Sequence, residues 1–256
     1  MKKLITFVTA GDPPISELPG ILRDLEAGGA DLIEVGIPFS DPIADGPVIQ
    51  RASERALKNK TSLAHVIELA GKVRRARANA GIIIFSYWNP VLRFGLSRVC
   101  DALSIAGIDG AVITDLTVEE SKEYSQAMRA KNLDTIFLAA PTSTDERLRA
   151  IAAASSGFIY AVSRTCISGT HKQLSDDAQQ LVKRIRRYTQ LPIAVGFGIS
   201  NAEQFANVGT FADAAVIGSA IVHIVELNGS HAPDRVAEFI RGLRAEAGKN
   251  WALAHP

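Results

Sequence analysis

The chain has 256 residues, 47% of them hydrophobic, which is enough to bury a full core and matches the usual size of one α/β barrel domain, so a disordered chain is excluded. Its 28 basic and 27 acidic residues leave a formal net charge of +1; no global field draws it onto nucleic acid or an anionic membrane, and any anion must be held locally. The longest nearly apolar run, Ala214 to Val225, is interrupted by Gly218, Ser219 and His223 and is too short to cross a bilayer.

The N-terminus enters a strand-like run, Leu4 to Thr9, without the charged, apolar and small-residue regions of a secretory signal. Its two cysteines, Cys100 and Cys166, form no metal knuckle or disulfide framework, so a reducing, cytoplasmic setting is expected. Short runs rich in Val and Ile then alternate with longer amphipathic stretches to the end of the chain. Strands are predicted over residues 4–9, 31–35, 82–86, 110–114, 134–139, 157–162, 192–196 and 213–217. They are continuously apolar, as strands buried on both faces are. Helices are predicted in the intervals, among them 15–28, 62–79, 118–131, 175–188 and 234–247. Thr117 before Glu119 and Glu120, and Thr144 before Glu146, have the pattern of helix starts.

Eight such βα units with no linker point to one domain, residues 1–256, folded as an α/β, (β/α)8 TIM barrel. An open doubly wound sheet is the alternative. That fold usually shows a Gly-rich dinucleotide loop after the first strand, where this chain has Thr9-Ala10-Gly11-Asp12-Pro13. A barrel places its chemistry on the loops after the strand C-termini.

The densest motif runs out of the second strand, Glu34-Val35-Gly36-Ile37-Pro38-Phe39-Ser40-Asp41-Pro42-Ile43-Ala44-Asp45-Gly46-Pro47. Glu34 sits among Leu32, Ile33, Val35 and Ile37, where ionisation is costly. It is expected to face the barrel mouth with a raised pKa, as a residue that both takes and returns a proton requires. The structural alternative is a pair with a buried Arg. Asp45 follows in a loop stiffened by three prolines, while Asp41 fits a turn-forming role.

Two further regions stand out. Gly196-Phe197-Gly198-Ile199-Ser200 follows the seventh strand, and Gly218-Ser219 opens a helix after the eighth. Barrels bind phosphate there through loop amides and a helix N-terminus, although glycines also serve turns for conformational reasons alone. The stretch from Tyr160 to His171 leads from the sixth strand into a polar loop that could close over a substrate. Cys166 within it has no His placed to activate it.

No Lys falls at the end of a predicted strand, which argues against a Schiff-base aldolase. The five histidines are scattered, and only His171 falls in a predicted top loop, which argues against a metal aldolase. Proton transfer on a phosphorylated small molecule remains, as an isomerisation or a lyase step.

The motif from Glu34 to Pro47 resembles the signature of the tryptophan synthase alpha subunit family, and the resemblance extends from Phe7-Val8-Thr9-Ala10-Gly11-Asp12-Pro13 to Val216-Ile217-Gly218-Ser219-Ala220-Ile221-Val222. It implies a lyase that splits indole-3-glycerol phosphate into indole and glyceraldehyde 3-phosphate. It also implies that Glu34 is the proton-shuttling carboxylate, that Asp45 bonds the indole nitrogen, and that Tyr160 stands near the reacting centre. By the same resemblance Gly169, Gly198, Gly218 and Ser219 bind phosphate, and Phe7, Phe85, Tyr87, Leu138 and Phe197 line the indole pocket. It further implies no cofactor in this chain, and a beta subunit partner carrying pyridoxal phosphate in an alpha2beta2 assembly.

Three departures accompany the resemblance. The sixth loop has Cys166-Ile167-Ser168-Gly169 where the family usually has Gly-Val-Thr-Gly; Ser168 keeps a hydroxyl to bond Asp45. The fourth strand ends in Asp115-Leu116-Thr117 rather than Asp-Leu-Pro, at a place expected to meet the partner. No helix precedes the first strand, so the barrel bottom is expected to be less covered. Another phosphosugar isomerase or epimerase, or a weakly catalytic subunit that activates a beta partner, stays open as an alternative reading.

Overall fold

The computed structural model describes residues 2–76, 79–162, 171–196, 198–229 and 232–254. In chain order the strands are β1 (Lys3–Thr9), β2 (Leu32–Gly36), β3 (Gly81–Ser86), β4 (Gly110–Ile113), β5 (Asp134–Ile136), β6 (Leu138–Ala139), β7 (Ile159–Val162), β8 (Ile193–Gly196) and β9 (Ala214–Ile217). All pair in parallel, in the order β5-β4-β3-β2-β1-β9-β8-β7-β6. The predicted fifth strand is thus two short ones. Its first half pairs with β4 and its second with β7, because the closing strand must serve both ends of the sheet. The sixth predicted strand starts two residues late, at Ile159, since Gly157 turns with φ +71°.

The helices are α1 (Leu18–Gly28), α2 (Pro47–Lys58), α3 (Leu63–Arg75), α4 (Trp88–Phe94), α5 (Leu96–Ala106), α6 (Lys122–Arg129), α7 (Asp145–Ala154), α8 (His171–Ile185), α9 (Ala202–Val208), α10 (Ser219–Asn228) and α11 (Ala232–Ala254). Thr144 caps α7, its side chain accepting from the Arg147 amide. Thr117 makes no such bond: it precedes a 3-10 turn, Val118–Glu120, and α6 begins only at Lys122. His171 opens α8 rather than lying in a loop.

Successive strand residues alternate between two cores, as the strand period of two requires. Leu4, Val8, Ile33, Val35, Ile82, Ile84, Ile159, Val195 and Ile217 pack outward against the helices. Ile5, Ile83, Val112, Ile136, Phe158, Ala194, Ala214 and Val216 fill the barrel, with Leu32, Phe85, Leu138 and Tyr160 packed against them. On α1 the buried positions Leu18, Ile21, Leu22, Leu25 and Gly28 follow the helical period and face that outer core.

At the N-terminal ends of the strands one device recurs. Asp31, Asp109 and Asp213 stand just before β2, β4 and β9 and accept from amides within the first two residues of neighbouring strands, those of Leu4, Ile82 and Ile193. Each also pairs with an arginine, Arg244, Arg74 and Arg186 respectively. The three aspartates and Arg186 line a cavity of about 420 Å³ whose apolar walls include Ile5, Leu32, Ile83, Ile136 and Phe158. It lies at the opposite end of the barrel from the strand C-termini.

Candidate active site

Glu34 lies mid-strand in β2, level with Phe7 of β1 and Ile83 of β3. Its outward neighbours Ile33 and Val35 belong to the helix-facing core, so the alternation turns Glu34 into the barrel. It is fully buried, and neither carboxyl oxygen has a hydrogen-bond partner among the described residues. Burial pushes its pKa from 4.5 up to about 8, since a charge there loses water and gains no counter-ion. The buried-Arg alternative therefore finds no partner among the described residues. At neutral pH the group is a carboxylic acid able to donate.

The loop after β2 is tied down by its own turns and by Tyr87. The Ile37 amide donates to Phe85 O and the Asp45 amide to Pro42 O. The Tyr87 hydroxyl accepts from the Ala44 amide at 3.0 Å, and Gln50 Nε2 donates to Asp45 O at 2.8 Å. Tyr87 is itself buried and stacks with Phe39 at 5.1 Å between centroids. It holds the acid-bearing loop, a role beyond lining a pocket. Asp45 is half-buried; burial pushes its pKa up to about 6, and the hydrogen bond from Tyr87 works against that rise. Asp41 is exposed and takes a 2.6 Å bond from Ser40 Oγ, in keeping with a turn-forming role.

Tyr160 of β7 closes the inner wall. Its ring lies 6.5 Å from Phe85 and 6.4 Å from Phe158, and Phe85 meets Phe7 edge-on at 5.2 Å. Burial first, then the charges of Glu34 and Asp45, hold the Tyr160 hydroxyl well above the usual tyrosine range, so the three groups share one electrostatic environment. Two glycines make room for these rings: a Cβ on Gly196 would lie 2.6 Å from Tyr160 Oη, and one on Gly36 2.5 Å from Phe7 Cζ. Both positions need the absent side chain for close approach. Leu138 is half-buried and packs on the inner cluster.

Beside β1, at the end of β9, lies the start of α10. Gly218 is its N-cap and makes no side-chain cap bond, and Ser219 is exposed at the first helical position. The first helical bond runs from the Val222 amide to Gly218 O, so the amides of the first turn have no acceptor within the helix. A helix start of this kind favours an anion through those amides and the helix dipole. Gly218 rests on Phe7, which links this corner to the aromatic wall. Gly198 adopts φ +38° in the adjoining loop, while the Ser200 amide is taken by Gln204 Oε1. Ser168, Gly169 and Phe197, with Cys166, lie outside the described residues.

The sequence reading did not anticipate Ala52 and Val222, which enclose Phe7 with Val48, Ile49 and Phe85. Val48 and Ala52 are one helical turn apart on α2, a spacing that marks a shared face once the helix is recognised. Among the described residues no group of three or more His, Cys, Asp or Glu side chains could hold a metal ion, and no helix is long and apolar enough to cross a membrane. The site thus offers a neutral buried acid, a second carboxyl of intermediate acidity, an aromatic wall and a helix start whose first-turn amides have no acceptor within the helix.

Comparison with known proteins agrees with this chemistry. The tryptophan synthase alpha chain family matches residues 1–248. A tryptophan synthase alpha chain from Solibacter usitatus (strain Ellin6076) is 51% identical over 252 residues, covering 96% of this chain and 94% of that one. Among solved structures, the tryptophan synthase a2b2 complex from Pyrococcus furiosus aligns with TM-score 0.89 at 35% identity, over 96% of this chain and 100% of that chain. Tryptophan synthase subunit alpha from Legionella pneumophila str. Paris aligns with TM-score 0.89 at 31% identity, over 97% and 93%. With a barrel, a buried acid and a glycine-capped helix start at its mouth already in place, the chain belongs to the tryptophan synthase alpha chain family, whose lyase reaction cleaves indole-3-glycerol phosphate to indole and glyceraldehyde 3-phosphate.

Proposed function

We propose that Glu34 is the proton shuttle of this cleavage, Asp45 the acceptor for the indole N–H, Tyr160 a wall of the reacting centre, and the α10 start with Gly198, Gly218 and Ser219 the phosphate grip. Phe7, Phe85, Tyr87 and Leu138 enclose the indole, and Ser168, Gly169 and Phe197 complete the site. The neutral Glu34 carboxyl gives a proton to indole C3, and Asp45 stabilises the positive charge that develops on the ring nitrogen. The resulting carboxylate takes the proton of the glycerol hydroxyl next to the ring. The C3–C bond then breaks, its electron pair returns to the indole, and the new carbonyl becomes the aldehyde of glyceraldehyde 3-phosphate. Glu34 ends as it began, and the substrate supplies its own electron sink.

The observation that supports this best is a fully buried Glu34 with unpartnered oxygens and a pKa near 8, poised to give and take a proton near neutrality. Glu34→Gln keeps the shape but cannot shuttle a proton. Indole release from indole-3-glycerol phosphate that survives this change undiminished would overturn the assignment.

The whole chain is read as one cytoplasmic domain that carries no cofactor of its own. We also infer that it works with a beta subunit in an alpha2beta2 assembly, as the P. furiosus complex of mutually activated subunits does, with pyridoxal phosphate confined to that partner. An indole-formation assay with and without a beta subunit tests the pairing. Turnover unchanged by the partner would count against it.

A further inference from the structure

Behind the phosphate corner lies an ion-pair cluster that the reaction as described does not use. Arg55, in the last turn of α2, sends Nε and Nη2 to the two carboxylate oxygens of Asp12 at 2.9 and 2.7 Å. Its Nη1 bonds Glu226 Oε1 of α10 at 2.9 Å. Asp12 is 9% exposed, in the loop after β1. From the outer side, Arg51 adds a second fork to Glu226, at 2.8 and 2.9 Å, and His223 Nδ1 lies 3.3 Å from the same carboxylate. Asn59 donates to Gly11 O at 3.1 Å, tying the end of α2 to the same loop.

The cluster joins three parts of the barrel that carry different pieces of the site. α2 begins two residues after Asp45 and holds that residue's carbonyl through Gln50. α10 carries the start proposed above to grip the phosphate. The β1 strand carries Phe7, against which Ala52 of α2 and Val222 of α10 both pack. That apolar contact is small and non-directional, and it resists sliding of one helix past the other far less than a fork of paired bonds does.

We infer that Arg55 is a positioning residue: by gripping Asp12 and Glu226 at once it fixes the distance between the Asp45 loop and the phosphate-binding helix start, without touching substrate itself. This rests on the phosphate assignment above. The phosphate grip and the acid must meet one molecule at both ends, and misplacement by about an ångström costs on the order of 100-fold in rate. A lysine would keep the charge but lose the fork.

The test compares Arg55→Met, Arg55→Lys and Glu226→Gln with the unaltered chain, after circular dichroism has confirmed folding. Arg55→Met is expected to lower kcat/KM for indole-3-glycerol phosphate by about 30- to 100-fold. The Ki of inorganic phosphate should change less than about twofold, because the helix start is local. Arg55→Lys should recover little, whereas millimolar guanidinium added to Arg55→Met should restore several-fold activity. Glu226→Gln, which leaves the Asp12 fork intact, should fall between. If folded Arg55→Met keeps kcat/KM within about twofold of the parent, or if Lys replaces Arg fully, the inference is overturned. Failure of phosphate to compete in the unaltered enzyme would instead overturn the phosphate assignment, a separable result because it needs no Arg55 variant.

Discussion

The two ends of the barrel treat the same chemical group in opposite ways. At the N-terminal end, burial pushes Asp31 up, but bonds from the Leu4 amide, Lys3 and Arg244 outweigh it and hold the carboxyl below its usual value. Asp213 is treated alike by the Ile193 amide and Arg186. At the C-terminal end Glu34 is buried more completely and receives no compensating bond, and its pKa rises to about 8. Burial alone therefore does not keep a carboxyl protonated near neutrality; burial with the partners withheld does. The bottom uses carboxylates to close the sheet, and the mouth keeps one unsatisfied at a cost to stability.

Glu34→Gln should break this contrast most severely. Loss of the proton shuttle is expected to lower kcat by roughly 10³-fold, within the range of general acid-base catalysis. The same variant should be more stable than the parent, and increasingly so at high pH. Between pH 4.5 and about 8 the folded chain holds a proton on Glu34 that the unfolded chain has released, so stability falls as pH rises through that window. The full shift corresponds to a penalty on the order of 5 kcal/mol above pH 8. Melting temperatures at pH 5 and pH 8.5 measure it, and a variant stabilised equally at both would contradict the desolvated acid.

Asp31→Asn reverses the experiment at the other end. The Asp31 side chain is 25% exposed and that of Arg244 18%, so removing the charge should cost about 2 kcal/mol, less than for a fully buried pair. Because the folded-state pKa is lowered, this contribution is present above the unfolded pKa and lost as pH falls. The loss of stability should therefore be larger at pH 7 than at pH 3. The kcat of the folded protein should stay near that of the parent, and a fall as deep as that of Glu34→Gln would erase the distinction between the two ends.

Much of this contrast was legible in the sequence. A Glu inside Leu32-Ile33-Glu34-Val35 conflicts with its surroundings unless it has a task, and the alternating face that turns it inward follows from the strand period. The helix-opening Gly218-Ser219 pair was equally visible from its place after an apolar run. The clamps were not, because Asp31 and Arg244 lie 213 residues apart and only the closed barrel brings them together. The split at Phe137 was hidden for a similar reason: Asp134 to Ala139 is apolar enough for one strand, and the change of partner is a property of closure. Thr117 misled as a cap because its residue type fits a helix start, whereas the chain there makes a 3-10 turn first.

Gly196→Ala sharpens the comparison at the mouth without touching a charge. Its Cβ would fall 2.6 Å from Tyr160 Oη, so the ring must shift and the pocket wall with it. KM for indole-3-glycerol phosphate should rise about tenfold, in line with a small steric misfit in a hydrophobic pocket. Its pH profile should keep its shape, because neither carboxyl changes its surroundings much.

The smallest effect tests how finely the mouth is tuned. If ionised Asp45 and neutral Glu34 are both required, the rate should follow a bell with limbs near 6 and near 8. Tyr87 restrains the lower limb, since its hydrogen bond stabilises the Asp45 carboxylate against the dominant effect of burial. Tyr87→Phe removes that bond and should move the acidic limb to higher pH, by about one unit for a hydrogen bond to a charged carboxylate. It also strips the acceptor from the Ala44 amide, so a loss of kcat of about two- to fivefold should accompany the shift even at the optimum. The basic limb, set by the burial of Glu34, which has no hydrogen bond to Tyr87, should not move. A profile displaced as a whole, or displaced toward acid, would mean that Tyr87 acts on the site through something other than the Asp45 carboxylate.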